Sequence, residues 1–572
     1  NKHKVAIKKI YININYEALI KNFEFNVSIK KIINDTSSGF YGFELNKDLA
    51  PGDSVKFDYD ISYEPKNFIM KKQQTKIVYN GSFINNSLLP SIGYDPNSEI
   101  DDNTTREKYN LISKQRMAAI NDTTAYGNTY ISHDADWIRF ECVVSTKEGQ
   151  TAIAPGYLQK DWKKDNRHYF QYKMDSPILN FYSFLSANYE IKKDKWVNPL
   201  NKTNEVNIEI YYQKGHEYNI EKMIKGIKKS LDYYTKNFSP YQHKQVRILE
   251  FPRYSTFAQS FPNTIPFSEG IGFIAKLNNE NIEEVDYTFY VTAHEVAHQW
   301  WAHQVIGANV QGSTLMSETM SQYSALMVME KEYGQAAMRK FLKYEMNSYL
   351  QGRAMERRKE VPLMLCENQQ YIHYNKGSVI MYALKDYLGE DSLNAALQRY
   401  IKKVAFQEPP FTTANDFYSF IKTATPDSLK ETVKDLFERI VVFNNKVKNW
   451  SYTKTTNGKF KITATLSCIK TQNDSVGRAF DVKPNDWIDI GVFAKNEKHQ
   501  NSYGEIIYLK KIKINGKEQK FELIVDKEPY MFGIDPLNKL IDKDNGDNSM
   551  DKNGKVIGGG IGDVGAVVVK AE

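Results

Sequence analysis

The stretch AHEVAHQWWAH at residues 293–303 contains three of the ten histidines of this 572-residue chain. The apolar residues around these histidines are typical of a buried helix. On a helix, His294 and His298 lie one turn apart, so their imidazoles can reach a single ion. Glu295 then points beside that ion, where it can accept a proton from a bound water. The spacing therefore predicts a zinc site in which Glu295 acts as a general base.

A catalytic zinc site has three protein ligands and one open position, so one more side chain is needed. His303 is near in sequence, but on a continuing helix it would point roughly 140° away from His298. We expect His303 to be a packed histidine rather than a ligand. Glu318 lies in a second helical pattern, LMSETMSQYSALMVMEKEY, with 19 residues between it and His298. We predict that His294, His298 and Glu318 hold the ion; the alternative is that Glu318 faces solvent.

The segment HEVAHQWWAHQVIGANVQGSTLMSETMSQYSA at residues 294–325 resembles the zinc segment of the aminopeptidase N and leukotriene hydrolase family. Members of this gluzincin family read H-E-x-x-H-x18-E. This chain carries one extra residue, which we expect the loop around Asn309 to Ser313 to absorb. The resemblance implies a thermolysin-like, mostly helical catalytic domain with one Zn²⁺ per chain. It also implies that metal-activated water removes N-terminal residues from peptide substrates.

The segment YIHYNKGSVIMYAL at residues 371–384 resembles the Y-x-K-G segment of the same family. In the family, the hydroxyl of this tyrosine stabilises the tetrahedral oxyanion of peptide hydrolysis. Tyr374 takes that position, and Lys376 and Gly377 complete the match. Tyr371, one helical turn earlier, is the alternative.

The segment IPFSEGIGFI at residues 265–274 resembles the family's strand segment G-x-M-E-N-W-G-L-I. The glutamate of that segment binds the free α-amine of the substrate, and Glu269 takes its position. The three residues before Glu269 depart from G-x-M, and Gly270 replaces the asparagine. The resemblance implies an aminopeptidase if Glu269 faces the cleft, and an endopeptidase if it does not.

The longer zinc segment is most similar to the peptidase domain fused to bacterial ABC-transporter permeases. That resemblance implies an upstream membrane-spanning permease segment in the same polypeptide, and it leaves the membrane side and the oligomeric state open. No stretch of the given sequence reaches the roughly 20 apolar residues that span a bilayer. The rival interpretation is a retained metallopeptidase scaffold, serving a transporter as a non-catalytic binding module. The presence of both Glu295 and Tyr374 argues against it.

The pattern along the chain predicts a multidomain α+β fold. Residues 1–216 contain short alternating runs such as VKFDYDISY, which predict an N-terminal β domain. From residue 217 the period becomes helical, as in NIEKMIKGIKKSLDYYTKNF, and helices dominate the predicted catalytic domain to residue 443. Alternation returns over 444–541, which predicts a β-sandwich. The end at 542–572 is rich in Gly, Asp and Asn, which predicts a flexible tail.

Charge and cysteine content limit the remaining function classes. The net charge of +7 is spread over 76 basic and 69 acidic residues without a long basic block, so we do not expect nucleic-acid binding. Cys142, Cys366 and Cys468 lie far apart in sequence, which favours neither a disulfide framework nor a cysteine-type zinc site. One disulfide is compatible with this spacing, so the compartment stays open.

Overall fold

The computed structural model describes residues 1–15, 18–64, 77–78, 80–277, 284–497 and 503–556. The regular elements of its N-terminal region are short strands, three 3-10 turns and one short helix, α1 (Asn103–Lys108). The strands are β1 Ile7–Asn13, β2 Ala18–Phe25, β3 Ile29–Asp35, β4 Phe40–Leu49, β5 Phe57–Tyr63, β6 Ile77–Val78, β7 Gly81–Asn85, β8 Ser91–Ile92, β9 Trp137–Ile138, β10 Glu141–Lys147, β11 Thr151–Ile153, β12 Tyr157–Lys164, β13 Arg167–Lys173, β14 Ile178–Leu179 and β15 Ser183–Ala187.

These strands form several small sheets, each with its own apolar core. The sheet β3-β4-β1-β8 and the pair β2-β5 enclose a core that includes Ile12 and Phe43. The sheets β10-β13-β12 and β11-β15-β7-β6 and the pair β14-β9 follow. A further cluster, with Phe83, Leu185 and Phe251, joins this region to the next sheet. The predicted N-terminal β domain is therefore present.

A mixed four-stranded sheet supports the next part of the chain. Its strands are β16 Glu190–Val197, β17 Glu205–Tyr212, β18 Gln245–Phe251 and β19 Thr264–Ser268, in that order. β16 and β17 are antiparallel, while β17, β18 and β19 are parallel. Helix α2 (Ile220–Asn237) connects β17 to β18 and buries its apolar stripe. Because β16 and β17 precede residue 217, the sheet crosses the boundary that the sequence predicted.

The helices of the middle region pack around the largest apolar core, in which Trp300 and Trp301 are fully buried. They are α3 Tyr287–Ala297, α4 Met320–Tyr333, α5 Met338–Ala354, α6 Gly377–Leu388, α7 Glu390–Val404, α8 Ala414–Ala424 and α9 Lys430–Glu438. Two π-helical turns, Leu315–Thr319 and Tyr371–Lys376, lead into α4 and α6. Among the helices that the structure describes, none has the length and apolar character to cross a membrane.

The last region is a β-sandwich. Its strands are β20 Ile440–Lys454, β21 Phe460–Asn473, β22 Ala479–Val482, β23 Asp486–Phe493, β24 Ile506–Ile514, β25 Glu518–Val525, β26 Met531–Ile534 and β27 Ser549–Asp551. One sheet has the order β20-β21-β22 with β25 also on β21, and the other has the order β24-β23-β26-β27. A shared core that includes Leu466, Ile490 and Phe532 lies between them. The predicted α+β fold class, with its terminal sandwich, is confirmed.

The expectation of a flexible tail from residue 542 does not hold for 542–556. Asp542 is fully buried, and its carboxylate accepts a hydrogen bond from the backbone N–H of Asn445 at 2.9 Å. Strand β27 then pairs with β26. The polar residues of this segment form turns and caps against the sandwich, a role that composition alone does not separate from disorder. The rest of the predicted tail, 557–572, lies outside the described residues.

Candidate metal centre

Helix α3 and the residue that caps its C-terminus present two histidines to one point. The helix begins after Asp286, whose carboxylate accepts a hydrogen bond of 3.2 Å from the backbone of the first turn. His294 Nε2 and His298 Nε2 lie 3.0 Å apart. His298 Nδ1 lies 3.0 Å from the carbonyl oxygen of Trp301 and 3.0 Å from Ser321 Oγ. A carbonyl at Nδ1 calls for a proton there, so the neutral ring offers the lone pair of Nε2 to an ion.

The third predicted ligand comes from the π-helical turn before α4. Glu318 Oε2 lies 3.3 Å from His298 Nε2 and 3.6 Å from His294 Nε2. Ligand atoms of the three residues all lie within 4.8 Å of one another. A π turn contains one residue more than an α turn. The turn Leu315–Thr319 thus offers a place for the extra residue of this segment, besides the loop around Asn309–Ser313 expected from the sequence.

The geometry of the three side chains suits a zinc ion. With ligand bonds of about 2.0–2.1 Å, a tetrahedral site separates neighbouring ligand atoms by roughly 3.3 Å. The three separations in the structure, 3.0, 3.3 and 3.6 Å, bracket that value. Glu318 Oε2 is buried and has no hydrogen-bond partner among the described residues, as expected of an atom placed for a cation. Burial opposes the charge of Glu318, but the charges and hydrogen bonds of His298 and His294 together outweigh it and hold the pKa of Glu318 well below its usual range.

Glu295 lies beside the same point, as the sequence predicts. It is 5% exposed, and its Oε2 has no hydrogen-bond partner within the described part of the chain. Burial raises the pKa of Glu295 to about 8, although His298 acts in the opposite direction. A cation at the three ligands would favour the ionised form of Glu295, whose free oxygen would then be able to accept a proton from a water held there.

Of the two tyrosines that the sequence left open, Tyr374 is the one at the three predicted ligands. Its ring centroid lies 5.9 Å from that of His294. Burial, together with the charge of Glu318, raises the pKa of Tyr374 well above its usual value, so the hydroxyl keeps its proton. The hydroxyl of Tyr371 instead donates a hydrogen bond to Glu356 Oε2 at 3.1 Å.

The two π-helical turns are fastened to each other. Thr319 Oγ1 donates a hydrogen bond of 2.5 Å to the carbonyl oxygen of His373, and Thr314 Oγ1 lies 3.1 Å from His373 Nδ1. A Cβ added at Gly377 would lie 2.5 Å from Thr319 Oγ1, so only glycine allows this approach. The glycine of the Y-x-K-G match therefore lets the turn that carries Tyr374 pack against the turn that carries Glu318.

Tyr130, which sequence reasoning missed, reaches the site from the N-terminal region. The preceding residue, Thr129, forms a β-bridge with Ala308, between the two helices that carry the predicted ligands. Burial is the main cause that raises the pKa of Tyr130, and the charge of Glu318 is the next. Tyr130 in turn contributes to the raised pKa of Tyr374. No motif could have identified it, because Tyr130 is far from the zinc segment in sequence and lies outside any regular element.

Glu269 follows β19 and belongs to a different cluster. Its Oε1 accepts a hydrogen bond from the backbone N–H of Arg253 at 3.0 Å, and its carboxylate lies within 4.8 Å of His216 and Glu250. Glu250 is 1% exposed and bonds to His216, and burial raises the pKa of Glu250 to about 7. Among the described residues, no hydrogen bond or ion pair joins Glu269 to the three predicted ligands. The structure thus groups five of the six predicted residues, and Glu269 lies in the cluster with His216 and Glu250.

His303 and the three cysteines, which we expected not to be metal ligands, lie outside the group of predicted ligands. His303 is buried, and its Nε2 lies 2.9 Å from the carbonyl oxygen of Ser260. Cys142, Cys366 and Cys468 are free thiols.

Comparison with known proteins places the helical region in a family. Residues 218–439 match the peptidase family M1 domain. This segment is an M1 peptidase domain. Part of the chain is similar to endoplasmic reticulum aminopeptidase 2 of Homo sapiens, at 24% identity over 189 residues, which cover 31% of this chain and 19% of that protein. Part is similar to probable aminopeptidase 1 of Sulfurisphaera tokodaii, at 22% identity over 220 residues, which cover 37% of this chain and 27% of that protein.

The chain therefore spans less than a third of the length of these curated relatives. A solved two-domain M1 zinc metallopeptidase with bound L-tryptophan has a TM-score of 0.51 and 13% identity, over 76% of this chain and 87% of that chain. This likeness concerns the fold. The match to the M1 domain, together with the two aminopeptidase relatives, confirms the predicted family and the predicted class of zinc metallopeptidase.

Proposed function

We propose that the M1 domain of this chain is an aminopeptidase that removes N-terminal residues from peptides with the help of one zinc ion per chain. The observation that carries the proposal is the convergence of three ligand atoms beside the buried Glu295 carboxylate and the partly buried side chain of Tyr374. His294, His298 and Glu318 would hold the ion. Zinc bound there supplies a Lewis acid that polarises a peptide carbonyl and acidifies a water molecule.

Three residues of the chain would carry out proton transfer, oxyanion stabilisation and orientation of a ligand. Glu295 accepts a proton from the attacking water and passes it to the leaving amine. Tyr374 donates a hydrogen bond to the oxyanion that develops on the substrate carbonyl, because its hydroxyl stays protonated. The carbonyl of Trp301 fixes the orientation of the His298 ring.

Glu269 is the residue that we assign to the free α-amine of the substrate. The cluster of Glu269 with Glu250 and His216 supports this assignment, because two carboxylates close together attract a cationic group. A charge-assisted hydrogen bond between ammonium and carboxylate would distinguish an exopeptidase from a general metallopeptidase.

The metal part of the proposal is tested by zinc content. Purified wild type should bind one zinc ion, and His298→Ala and Glu318→Ala should both lose zinc and turnover. His303→Ala is the matched control, because the side chain of His303 lies against the carbonyl oxygen of Ser260 and makes no hydrogen bond to the side chains of the three ligands. Full zinc occupancy in Glu318→Ala would show that another residue is the third ligand. Zinc bound by the wild type without turnover of any aminoacyl substrate would instead favour the non-catalytic scaffold.

The exopeptidase part is tested by pairs of peptides that differ only in N-acetylation. The wild type should cleave the free peptide far faster, and Glu269→Ala should lose most of this preference because both changes remove the same charge pair. Glu221→Ala, at an exposed acid of α2, is the control. Equal cleavage of free and acetylated peptides by the wild type would make the protein an endopeptidase. Attachment to a bacterial transporter permease stays a prediction from the length of the zinc segment.

A further inference from the structure

Glu345 of α5 is a buried carboxylate that links the zinc helix to the turn of Tyr374. It is 2% exposed. Its Oε1 accepts a hydrogen bond from the hydroxyl of Tyr290 at 3.0 Å, and its Oε2 accepts one from Asn375 Nδ2 at 2.7 Å. Tyr290 lies one turn before His294 on α3, and Asn375 follows Tyr374. One side chain therefore joins a neighbour of a predicted ligand to a neighbour of the predicted oxyanion donor.

The Glu345 carboxylate is buried among neutral groups, which is an unfavourable position for a charged side chain. The hydrogen-bond partners Asn375, Tyr290 and Ser378 are neutral, and burial raises the pKa of Glu345 to about 7 although their hydrogen bonds lower it. Transfer of a carboxylate into such surroundings opposes folding unless its hydrogen bonds are well made. An apolar residue would fill the same space without this penalty. What the carboxylate adds is two directed acceptors that fix two donors relative to each other.

The turn that carries Tyr374 is thereby held from two sides. On one side Thr319 and Thr314 bond to His373, and on the other side Glu345 bonds to Asn375. If the second contact is lost, we expect the π-helical turn to relax toward an α turn and to displace the Tyr374 hydroxyl.

We propose that Glu345 is a positioning residue that sets the place of the Tyr374 hydroxyl relative to His294 during catalysis. This inference rests on the proposed function. It predicts that loss of either hydrogen bond of Glu345 lowers the turnover number while substrate affinity and zinc content stay the same, since a displacement of about 1 Å is enough to slow a reaction markedly.

The experiment uses the zinc-loaded chain and single changes at the two donors, Tyr290→Phe and Asn375→Ala. Each should lower kcat by about tenfold and change KM by less than about twofold. Glu345→Gln should retain most of kcat, because its amide can accept from Tyr290 and donate to the turned-over amide of Asn375. Tyr233→Phe removes a similar hydrogen bond, to Glu390 at 2.9 Å, and should leave kcat unchanged.

The decisive comparison repeats the two donor variants in a Tyr374→Phe background. With no hydroxyl left to position, each should lower kcat by less than about twofold. An equal fold-loss in both backgrounds, a loss of zinc, or an equal effect of Tyr233→Phe would overturn the inference. If Tyr374→Phe alone leaves kcat unchanged, the proposed role of Tyr374 is wrong and the inference falls with it. The Tyr374→Phe variant alone thus distinguishes a failure of the proposed function from a failure of the proposed role of Glu345.

Discussion

Replacement of Glu345 by glutamine should change how the stability of the M1 domain depends on pH. Burial raises the pKa of Glu345 in the folded protein from 4.5 to about 7. The unfolded chain therefore loses this proton near pH 4.5, while the folded chain keeps it until about pH 7. The stability that the protonated Glu345 contributes is therefore fully present below pH 4.5 and is lost as the pH rises to 7. At about 1.4 kcal/mol for each pH unit, the loss amounts to roughly 3 kcal/mol.

Glutamine has no proton to lose, so the difference between variant and wild type isolates this effect. At pH 4.5 the two proteins should differ only by the small change in hydrogen bonding. At pH 7.5 Glu345→Gln should be the more stable by roughly 3 kcal/mol, which raises Tm by about 6–12 °C for a domain of about 200 residues. Scanning calorimetry in the presence of a chelator measures this without a contribution from zinc. A Tm difference that is the same at both pH values would refute the reasoning.

Three further changes test the site. Glu295→Gln should keep zinc, measured by metal analysis, while turnover falls by about 10²–10⁴ through loss of the general base. Tyr374→Phe should lower kcat with little change in KM because its hydrogen bond forms mainly in the transition state, and an effect of Tyr371→Phe instead would move that role one turn earlier. Gly377→Ala should destabilise the domain by about 1–3 kcal/mol through overpacking. Gly127→Ala meets open space and is the control, so equal losses of Tm in the two variants would contradict the steric argument.

The predicted metal ligands could be recognised in the sequence because their arrangement depends on the spacing of residues along one helix. Two histidines one turn apart on an apolar helix point to one place whatever the rest of the fold does. Glu318 was within reach for a similar reason, since it lies on the next helical pattern. The π-helical turn that contains it was out of reach, because an apolar pattern does not distinguish a π turn from an α turn.

Contacts between distant parts of the chain could not be predicted. Tyr130 and Glu345 reach the site only through tertiary packing, and neither belongs to a motif. The surroundings of Glu269 are another case, because the sequence could match its segment to a family but could not show that His216 and Glu250 lie beside it. For the residues from Asp542, the sequence predicted a flexible tail where the structure has ordered turns and a strand up to residue 556. Their Gly, Asp and Asn content is shared by solvated tails and by turns that pack against a sheet.

The position of β17 has a practical consequence for work with excised fragments. Asn207 to Tyr211 pair in parallel with Gln245 to Leu249 of β18, although β17 lies before the start of the family match at residue 218. A polypeptide that begins at residue 218 would leave the N–H and C=O groups of β18 unpaired along one edge. Such an edge is a template for association with other chains. Expression of the isolated M1 domain should therefore give soluble monomers only when it begins upstream of β16, near residue 188.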